Sequence, residues 1–194
     1  RFLAWGGRCI APRAGDVARG GARPYWTGCL AWIGGCTVVA AAALALQAGL
    51  QALPPWAAVL GTGLALKPLL AWRMLREETA AVEGALGTSL EAGRRQLSRL
   101  VSRDVAPLGE AEVRESAIES LAENFNDSVV APVFWFVLLG LPGAALYRFA
   151  NTADAMWGYR GVRAGRDWEW AGKWAARADA VLSWLPARIS ALLV

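Results

Sequence analysis

The distribution of charged residues constrains the fold of this chain more than any other feature of its sequence. Residues 24–66 contain no Asp, Glu, Lys or Arg, and neither do residues 128–147. A transmembrane helix needs about 20 consecutive apolar residues to cross the hydrocarbon core of a bilayer. Both uncharged runs reach this length, so the sequence predicts an all-α, polytopic integral membrane helical bundle.

The composition excludes several classes of protein. The apolar fraction is 56%, there are 11 tryptophans and there is no histidine. A His-based catalytic triad is therefore excluded, and three cysteines without a CxxC pair do not indicate a zinc site. The net charge of +4 comes from basic residues that flank the apolar runs, as in the cytoplasmic loops of membrane proteins. The predicted partner is therefore a lipid bilayer and not nucleic acid.

Charge, glycine and proline divide the chain into segments. These are a basic N-terminal segment at 1–25, a membrane helix at 27–50, a second membrane helix at 55–75, amphipathic cytoplasmic helices over 76–127, a broken or re-entrant segment at 128–150, a polar loop at 151–178 and the start of a membrane helix at 180–194. The uncharged turn QALPP joins the first two membrane helices, so both of their open ends should face the cytoplasm. Neither chain end resembles a natural terminus, and we expect a fragment of a longer protein.

Lys67 is a charged residue near the end of the second membrane helix. Its side chain either extends to the lipid headgroups or places a cation in a polar site. The sequence leaves both interpretations open.

Acidic side chains line one face of the helix that precedes the second uncharged run. They recur at every fourth residue, which keeps them on one helical face: Glu115, Glu119, Glu123 and Asp127. A solvated surface would usually carry lysines at i+4 to relieve the repulsion. Because no such lysines are present, the acids need a counter-charge from a metal ion or from arginines of another segment.

The second uncharged run is interrupted by Leu141-Pro142-Gly143. Each half has about ten residues, or about 15 Å of helix, which is too short to cross a bilayer. A single crossing would also leave the basic region at 148–177 outside, against the tendency of basic loops to stay in the cytoplasm. We therefore expect a re-entrant or broken helical hairpin at 128–150, with a kinked single span as the alternative.

Polar residues form groups beside the apolar runs. The groups are Ser102, Arg103 and Asp104; Glu119, Glu123, Asn124, Asn126 and Asp127; Asn151, Thr152, Asp154, Tyr159 and Arg160; and Arg177, Asp179 and Arg188. Carboxylates with amides suit Mg²⁺, which often binds nucleotide phosphates as well, and arginines recognise phosphate or carboxylate. One interpretation is a Mg-nucleotide site beside an anionic substrate; the other is a polar network for helix packing. The segment GTGLALK is not a P-loop, because it lacks the GK[ST] ending.

Four longer motifs occur in the order LVSRDVAPLGEAEV, ESLAENFNDSVVAPVFW, GLPGAALYRFANTADAMWGYR and LPARI. Together they resemble the CobD/CbiB family of cobalamin biosynthesis, the adenosylcobinamide-phosphate synthases. The resemblance covers residues 60–194, and residues 1–13 are more loosely similar to the end of the family's N-terminal HPVR-type motif.

The resemblance implies a multi-pass enzyme of the bacterial or archaeal cell membrane with its active site on the cytoplasmic side. Such an enzyme joins aminopropanol, or its phosphate, to the free carboxylate of adenosylcobyric acid. The implied cofactors are ATP and Mg²⁺, and other late cobalamin-assembly enzymes are further partners at the membrane.

Residue roles follow from positions in the matching motifs, as expectations. The residues expected to be catalytic, by acting on Mg-ATP, are Glu119, Glu123, Asn124 and Asp127. The residues expected to contact phosphate, the amine or corrin carboxylates are Arg103, Asp104, Asn151, Arg160, Arg177 and Lys67. The metal ligands would be Glu123, Asp127 and Asp154.

The chain departs from the family pattern near its last motif. Ala180 stands where the family has a second acid, and Ser183 stands where it has an amide. The segment RGVRAGRDWEWAGKWAAR also differs from the family's tyrosine-rich segment. These departures keep open a non-catalytic membrane regulator of the AmpE type. A small transporter is a weaker alternative, because it should place ionisable groups well inside the membrane runs, where only Lys67 comes close.

Overall fold

The computed structural model describes residues 2–14, 21–101 and 103–193, and these residues are almost entirely helical. The helices are α1 (Phe2–Ile10), α2 (Ala22–Gln51), α3 (Pro55–Leu66), α4 (Trp72–Leu86), α5 (Leu90–Leu97), α6 (Glu110–Phe125), α7 (Ala131–Trp157) and α8 (Lys173–Leu193). A 3₁₀ turn occupies Lys67–Leu69, a π-helical turn occupies Asn126–Val130, and the short strands β1 (Val162–Arg163) and β2 (Arg166–Asp167) form a hairpin. The all-α prediction is confirmed. Ser102 and residues 15–20 of the basic segment lie outside the described residues.

The chain forms two compact units, one of Arg1–Leu69 with Ala131–Val194 and one of Leu70–Val130. Within the described residues, three helical stretches are long and apolar enough to cross a membrane: Ala22–Gln51, Pro55–Leu86 and Glu110–Trp157. Large apolar side chains of α2, such as Leu30 and Val38, are exposed on its surface. Exposed apolar helix surfaces of this extent are expected where lipid is the surrounding solvent.

The first unit contains a sharp break in α7 at Gly140, where the backbone angles are φ 70° and ψ −156°. Trp135 precedes the break and donates through its indole N–H to the carbonyl of Leu182 at 3.1 Å. Tyr147 follows the break, and its hydroxyl lies 2.9 Å from the hydroxyl of Ser183. In a continuous helix, residues 135 and 147 would be about 18 Å apart along the axis. Because they contact adjacent residues of α8, the chain must reverse direction at the break, as a helical hairpin does.

A side chain of α2 stabilises this break. The Gln47 side-chain oxygen accepts a hydrogen bond from the backbone N–H of Leu141 at 2.8 Å. This N–H starts the second half of α7, so it has no partner within its own helix. Gly140 is required for this contact, because a Cβ at Gly140 would collide with the Gln47 amide.

Helix bounds differ from the predicted ones at several places, beginning with the basic segment predicted at 1–25, in which α1 forms and α2 begins at Ala22. The second membrane helix was expected to continue to residue 75, but α3 ends at Leu66 because Pro68 removes a backbone donor and disfavours α-helix in the residue before it. The polar loop expected at 151–178 is shorter, since α7 extends to Trp157 and α8 begins at Lys173. Burial of Trp157 in the core of the first unit explains the extension of α7.

The second unit packs α4, α5 and α6 around a small core of Val82, Leu86, Leu97, Val113 and Ala117. Leu90, Leu100 and Val101 pack against this core, as their helical spacing predicts. Ser89 caps α5 by accepting a hydrogen bond from the Ala92 N–H at 3.1 Å. Glu112 accepts the Gly109 N–H at 2.6 Å at the start of α6. These caps fix where the chain turns between the three helices.

Candidate functional site

A polar cavity of about 290 Å³ lies within the second unit, beside α6. Its lining comes from α6 and from the segment that follows α5: Leu100, Val101, Arg103, Ser116, Glu119, Ser120, Glu123 and Asn124. The polar residues from α6 are spaced at i+3 and i+4, so one face of this helix supplies all of them. The cavity therefore contains both charges of an ion pair together with neutral hydrogen-bonding groups.

Arg103 is the cation of this cavity. Its Nη2 donates to the Ser116 hydroxyl at 2.6 Å and to Glu119 Oε2 at 2.7 Å. Ser116 is only 4% exposed, whereas the side chains of Arg103 and Glu119 are about half exposed. One of the α6 acids thus receives its counter-charge from an arginine of another segment, one of the two sources expected from the sequence.

The far end of the cavity contains an amide and a second carboxylate. Asn124 donates through Nδ2 to the Ser120 carbonyl at 2.8 Å and to its hydroxyl at 3.3 Å. This leaves the Asn124 side-chain oxygen as an acceptor. Glu123 is exposed, and no described basic side chain forms an ion pair with it. A carboxylate in this environment can accept a proton or bind a cation.

Asp127 follows in the π-helical turn and is not among the residues that line the cavity. The i+4 spacing predicts that Asp127 shares a face with Glu119 and Glu123, but of these three only Glu119 and Glu123 line the cavity. Asn126 is buried, and its Nδ2 donates to Asp127 Oδ1 at 2.9 Å.

Asp104 has a local structural contact. Its Oδ1 accepts the Ala106 N–H at 3.0 Å, which forms the turn that leads to Pro107. The remaining expected site residues belong to the first unit: Lys67, Asn151, Asp154, Arg160 and Arg177. Lys67, Arg160 and Arg177 are exposed, whereas Asn151 and Asp154 are half-buried near the end of α7. The polar cavity thus combines Arg103, Glu119, Glu123 and Asn124, and the other candidates lie elsewhere in their own units.

The donor set limits how a metal could bind. Within residues 2–14, 21–101 and 103–193, no group of three or more Cys, Asp or Glu side chains lies close enough to hold a metal ion. An all-protein metal cage therefore does not fit these residues. Mg²⁺ usually binds through one or two carboxylates together with substrate phosphates. The exposed carboxylate of Glu123 fits that mode.

Ser116 and Ser120 are the cavity residues to which sequence reasoning assigned no role. Both are buried, at 4% and 6% exposure, on a helix whose acids are exposed. Their i+4 spacing beside the acidic face was the available signal. Small hydroxyl residues are common on helices, so this spacing alone does not predict a role for the two serines. The hydrogen bond from Arg103 to Ser116 in the folded protein shows that role.

An apolar groove of about 340 Å³ lies between α4 and α6 of the second unit. Trp72, Val82, Ala117, Ile118 and Leu121 contribute its apolar lining. Arg114 borders the groove and pairs with Glu83 and Glu110, each at 2.8 Å. Ile118 is 63% exposed, so the apolar face of α6 is only partly covered.

A family model described as CobD/Cbib protein matches residues 2–194. The chain belongs to the CobD/CbiB family. Membership agrees with the long apolar helices, which indicate a membrane protein, and relatives in the family are named cobalamin biosynthesis proteins. No solved structure matches the chain.

Curated members of the CobD/CbiB family are similar to the chain over much of its length. A cobalamin biosynthesis protein CobD from Chromobacterium violaceum is 40% identical over 194 residues, covering 93% of this chain and 56% of that protein. Probable CobD proteins from Pyrococcus abyssi and Methanothermobacter thermautotrophicus are 49% and 44% identical, over 66% and 69% of this chain. The matched segments make up 42% and 43% of the length of these two proteins. The chain thus spans about half the length of these relatives.

Proposed function

We propose that the protein forms the amide bond between adenosylcobyric acid and aminopropanol, or aminopropanol phosphate, with consumption of ATP. The observation that carries this proposal is the polar cavity, in which Arg103 is held by Ser116 and Glu119 beside the carboxylate of Glu123. An ATP-dependent ligase needs a cation for phosphate oxygens and a carboxylate for proton or metal binding. Both occur here within one cavity.

Arg103 is suited to bind an anionic oxygen of the nucleotide or of the acyl phosphate. A guanidinium carries five N–H donors, and the two described contacts of Arg103 both use Nη2. The donors on Nη1 and Nε therefore remain for a ligand. Because Ser116 is buried and Glu119 is on the same helix, the guanidinium orientation is defined before any ligand binds.

The reaction takes place in two balanced steps. A carboxylate oxygen of adenosylcobyric acid attacks the γ-phosphorus of ATP, the bond to the bridging oxygen breaks and ADP leaves. The amine nitrogen then attacks the acyl carbon, the bond from that carbon to the phosphate oxygen breaks and inorganic phosphate leaves. Glu123 accepts the proton that the amine loses. Both steps depend mainly on positioning and on neutralisation of phosphate charge.

The remaining candidates have supporting roles in this proposal. Asn124 orients the amine by accepting a hydrogen bond from it through the free side-chain oxygen, and Asn151 orients the amine by its motif position. Phosphate or corrin carboxylates are contacted by three basic residues: Arg160, Arg177 and Lys67. Asp104 stabilises the turn next to Arg103. Glu123 would hold Mg²⁺ together with the nucleotide phosphates, where the ion would supply charge neutralisation; Asp127 and Asp154 are candidate ligands by motif position alone. We place this chemistry on the cytoplasmic side of the cell membrane, where ATP is available.

The test is amide formation by full-length protein in proteoliposomes that contain adenosylcobyric acid, ATP, Mg²⁺ and aminopropanol phosphate, with the product measured by mass spectrometry. Glu123→Gln keeps the size of the side chain and removes the proton acceptor, so we expect a rate loss of about 10²-fold or more. Arg103→Lys removes the planar fork and should lower the rate while raising KM for ATP. Glu115→Gln is the matched control, because Glu115 is exposed on the same helix outside the polar cavity.

Wild-type rates in both Glu123→Gln and Arg103→Lys would remove the polar cavity from the mechanism. If wild-type protein binds adenosylcobyric acid but forms no amide, the ligase proposal fails and a non-catalytic regulator is favoured. The Ser183 hydroxyl, at a position where the family has an amide, hydrogen-bonds Tyr147. Ser183→Asn tests whether restoring that amide changes the rate.

A further inference from the structure

At one end of the first unit, α1, the β-hairpin and the adjoining helix ends are joined by hydrogen bonds. The Asp167 N–H donates to the Pro12 carbonyl at 2.9 Å, and the Ala14 N–H donates to the Gly165 carbonyl at 3.0 Å. Arg166 Nη1 donates to the Ala11 carbonyl at 2.6 Å. These bonds tie the segment after α1 to the β-hairpin, although the two are far apart in sequence.

The same end is anchored in the core of the first unit. Trp157, at the end of α7, is 1% exposed, and its indole N–H donates to the Leu3 carbonyl at 2.9 Å. Gly28, in the first turns of α2, lies against the Ala171 backbone just before α8. The start of α2, the end of α7 and the start of α8 therefore meet here, together with α1.

Five arginines project from this assembly with exposed side chains: Arg8, Arg13, Arg23, Arg160 and Arg163. We call them the basic collar. In the part of the chain that the structure describes, none of the five forms an ion pair with an acidic side chain. The nearby acids have other contacts, since Asp167 accepts the Glu169 N–H at 2.9 Å and Glu169 pairs with Lys173 at 3.9 Å. Among the described residues, the collar therefore has positive charge that no acidic side chain neutralises.

Aromatic side chains are interleaved with the basic collar. Trp5, Trp26 and Trp170 are 59%, 60% and 44% exposed. The Arg163 guanidinium lies 3.6 Å from the centre of the Tyr159 ring, and Lys173 Nζ lies 3.8 Å from the centre of the Trp170 ring. Tryptophan and tyrosine favour the interface between hydrocarbon and water. This mixture of aromatic and basic side chains, at the start of a helix long enough to cross the membrane, is the composition expected at the depth of lipid headgroups.

We propose that the basic collar binds the phosphate groups of anionic phospholipids and so sets the depth and orientation of the first unit in the bilayer. Guanidinium groups bind phosphate oxygens in a bidentate manner, and basic residues beside a membrane are attracted to its anionic lipids. The exposed tryptophans favour lipid over soluble phosphate as the occupant, because they need an apolar phase next to the charged one. Of the five arginines, only Arg160 also has a role in the proposed amide-forming reaction, so the lipid site is tested through Arg13 and Arg163.

The experiment uses full-length protein in nanodiscs made from equal parts of phosphatidylglycerol and phosphatidylcholine. Lipids that remain bound after gentle release are counted by native mass spectrometry. We expect enrichment of phosphatidylglycerol on the wild-type protein and a loss of about 30-fold in Arg13→Gln/Arg163→Gln, because two basic residues are lost from the anionic surface. Raised salt should lower the enrichment in the wild-type protein.

The matched control is Arg95→Gln/Arg99→Gln, which removes the same charge from exposed arginines of the second unit. It should keep wild-type enrichment. An equal loss in both double variants would assign the effect to net charge and overturn the proposal, as would absence of enrichment in the wild-type protein. Displacement of phosphatidylglycerol by millimolar inorganic phosphate would instead identify a site for free phosphate, which also contradicts a lipid site.

Discussion

The Gln47 side-chain oxygen accepts the Leu141 backbone N–H at 2.8 Å, which joins α2 to the point where α7 reverses direction. Leu141 is only 2% exposed, so its N–H has no access to solvent. Gln47, a polar residue in the long apolar helix α2, thus supplies the hydrogen-bond acceptor at the break in α7.

Replacing Gln47 should destabilise the first unit. Gln47→Leu leaves the Leu141 N–H without its acceptor, and an unsatisfied buried donor costs about 1–3 kcal/mol. The measurement is the free energy of unfolding by SDS titration in mixed micelles. Gln51→Leu, at the exposed end of α2, is the control and should change this free energy by less than about 0.5 kcal/mol. Equal effects in both variants would rule out a specific role for the Gln47 contact.

Gly140 should not tolerate a side chain. Its angles of φ 70° and ψ −156° lie in a region used almost only by glycine. Gly140→Ala is therefore expected to cost about 1–3 kcal/mol from backbone strain, with a further loss from the clash with Gln47. The same unfolding titration measures it.

Gly34→Ala provides the comparison for Gly140→Ala. No heavy atom lies within 4 Å of a Cβ built at Gly34, in the middle of α2. Alanine is preferred over glycine inside helices by up to about 1 kcal/mol, so this variant should be neutral or stabilising. Tolerance of alanine at Gly140 would contradict a chain reversal at that residue.

Stability and activity should separate at Glu119. Its ion pair with Arg103 is about half exposed, and such pairs contribute at most about 1 kcal/mol. Glu119→Gln should thus leave the unfolding free energy nearly unchanged, but raise KM for ATP because Arg103 loses the negative charge that orients it. Ser116→Ala should act in the same direction. A loss of kcat without a change in KM for either variant would argue against positioning through Arg103.

Arg114 should connect α4 to α6 through weak, salt-sensitive ion pairs. It contacts Glu83 and Glu110 with N–O distances of 2.8 Å, and all three side chains are 44–61% exposed. A double-mutant cycle with Arg114→Gln and Glu83→Gln should give a coupling energy of about 0.2–1 kcal/mol that decreases in high salt. A coupling energy that does not respond to salt would indicate a desolvated pair instead.

Sequence patterns predict most of the helices but fewer of their ends. Residues 24–66 are uncharged and read as membrane helices, and α2 and α3 occupy this region. The polar side chains of residues 151–157 predict a loop, but these residues form the last turns of α7. Burial of Ala153 and Trp157 in the core of the first unit outweighs the local polarity there. Propensity and polarity are local properties, whereas this packing involves residues distant in sequence.

The candidate site shows the same division. The i+4 spacing of acids on α6 predicts a carboxylate face and its need for a counter-charge, because helix periodicity depends only on the sequence itself. Selection of Arg103 as the counter-charge for Glu119 depends on how the loop after α5 folds back on Ser116. Asp127, which continues the same i+4 spacing, is not among the residues that line the cavity. Local periodicity thus set the chemistry of the helix face, and long-range packing decided which of its groups share a cavity.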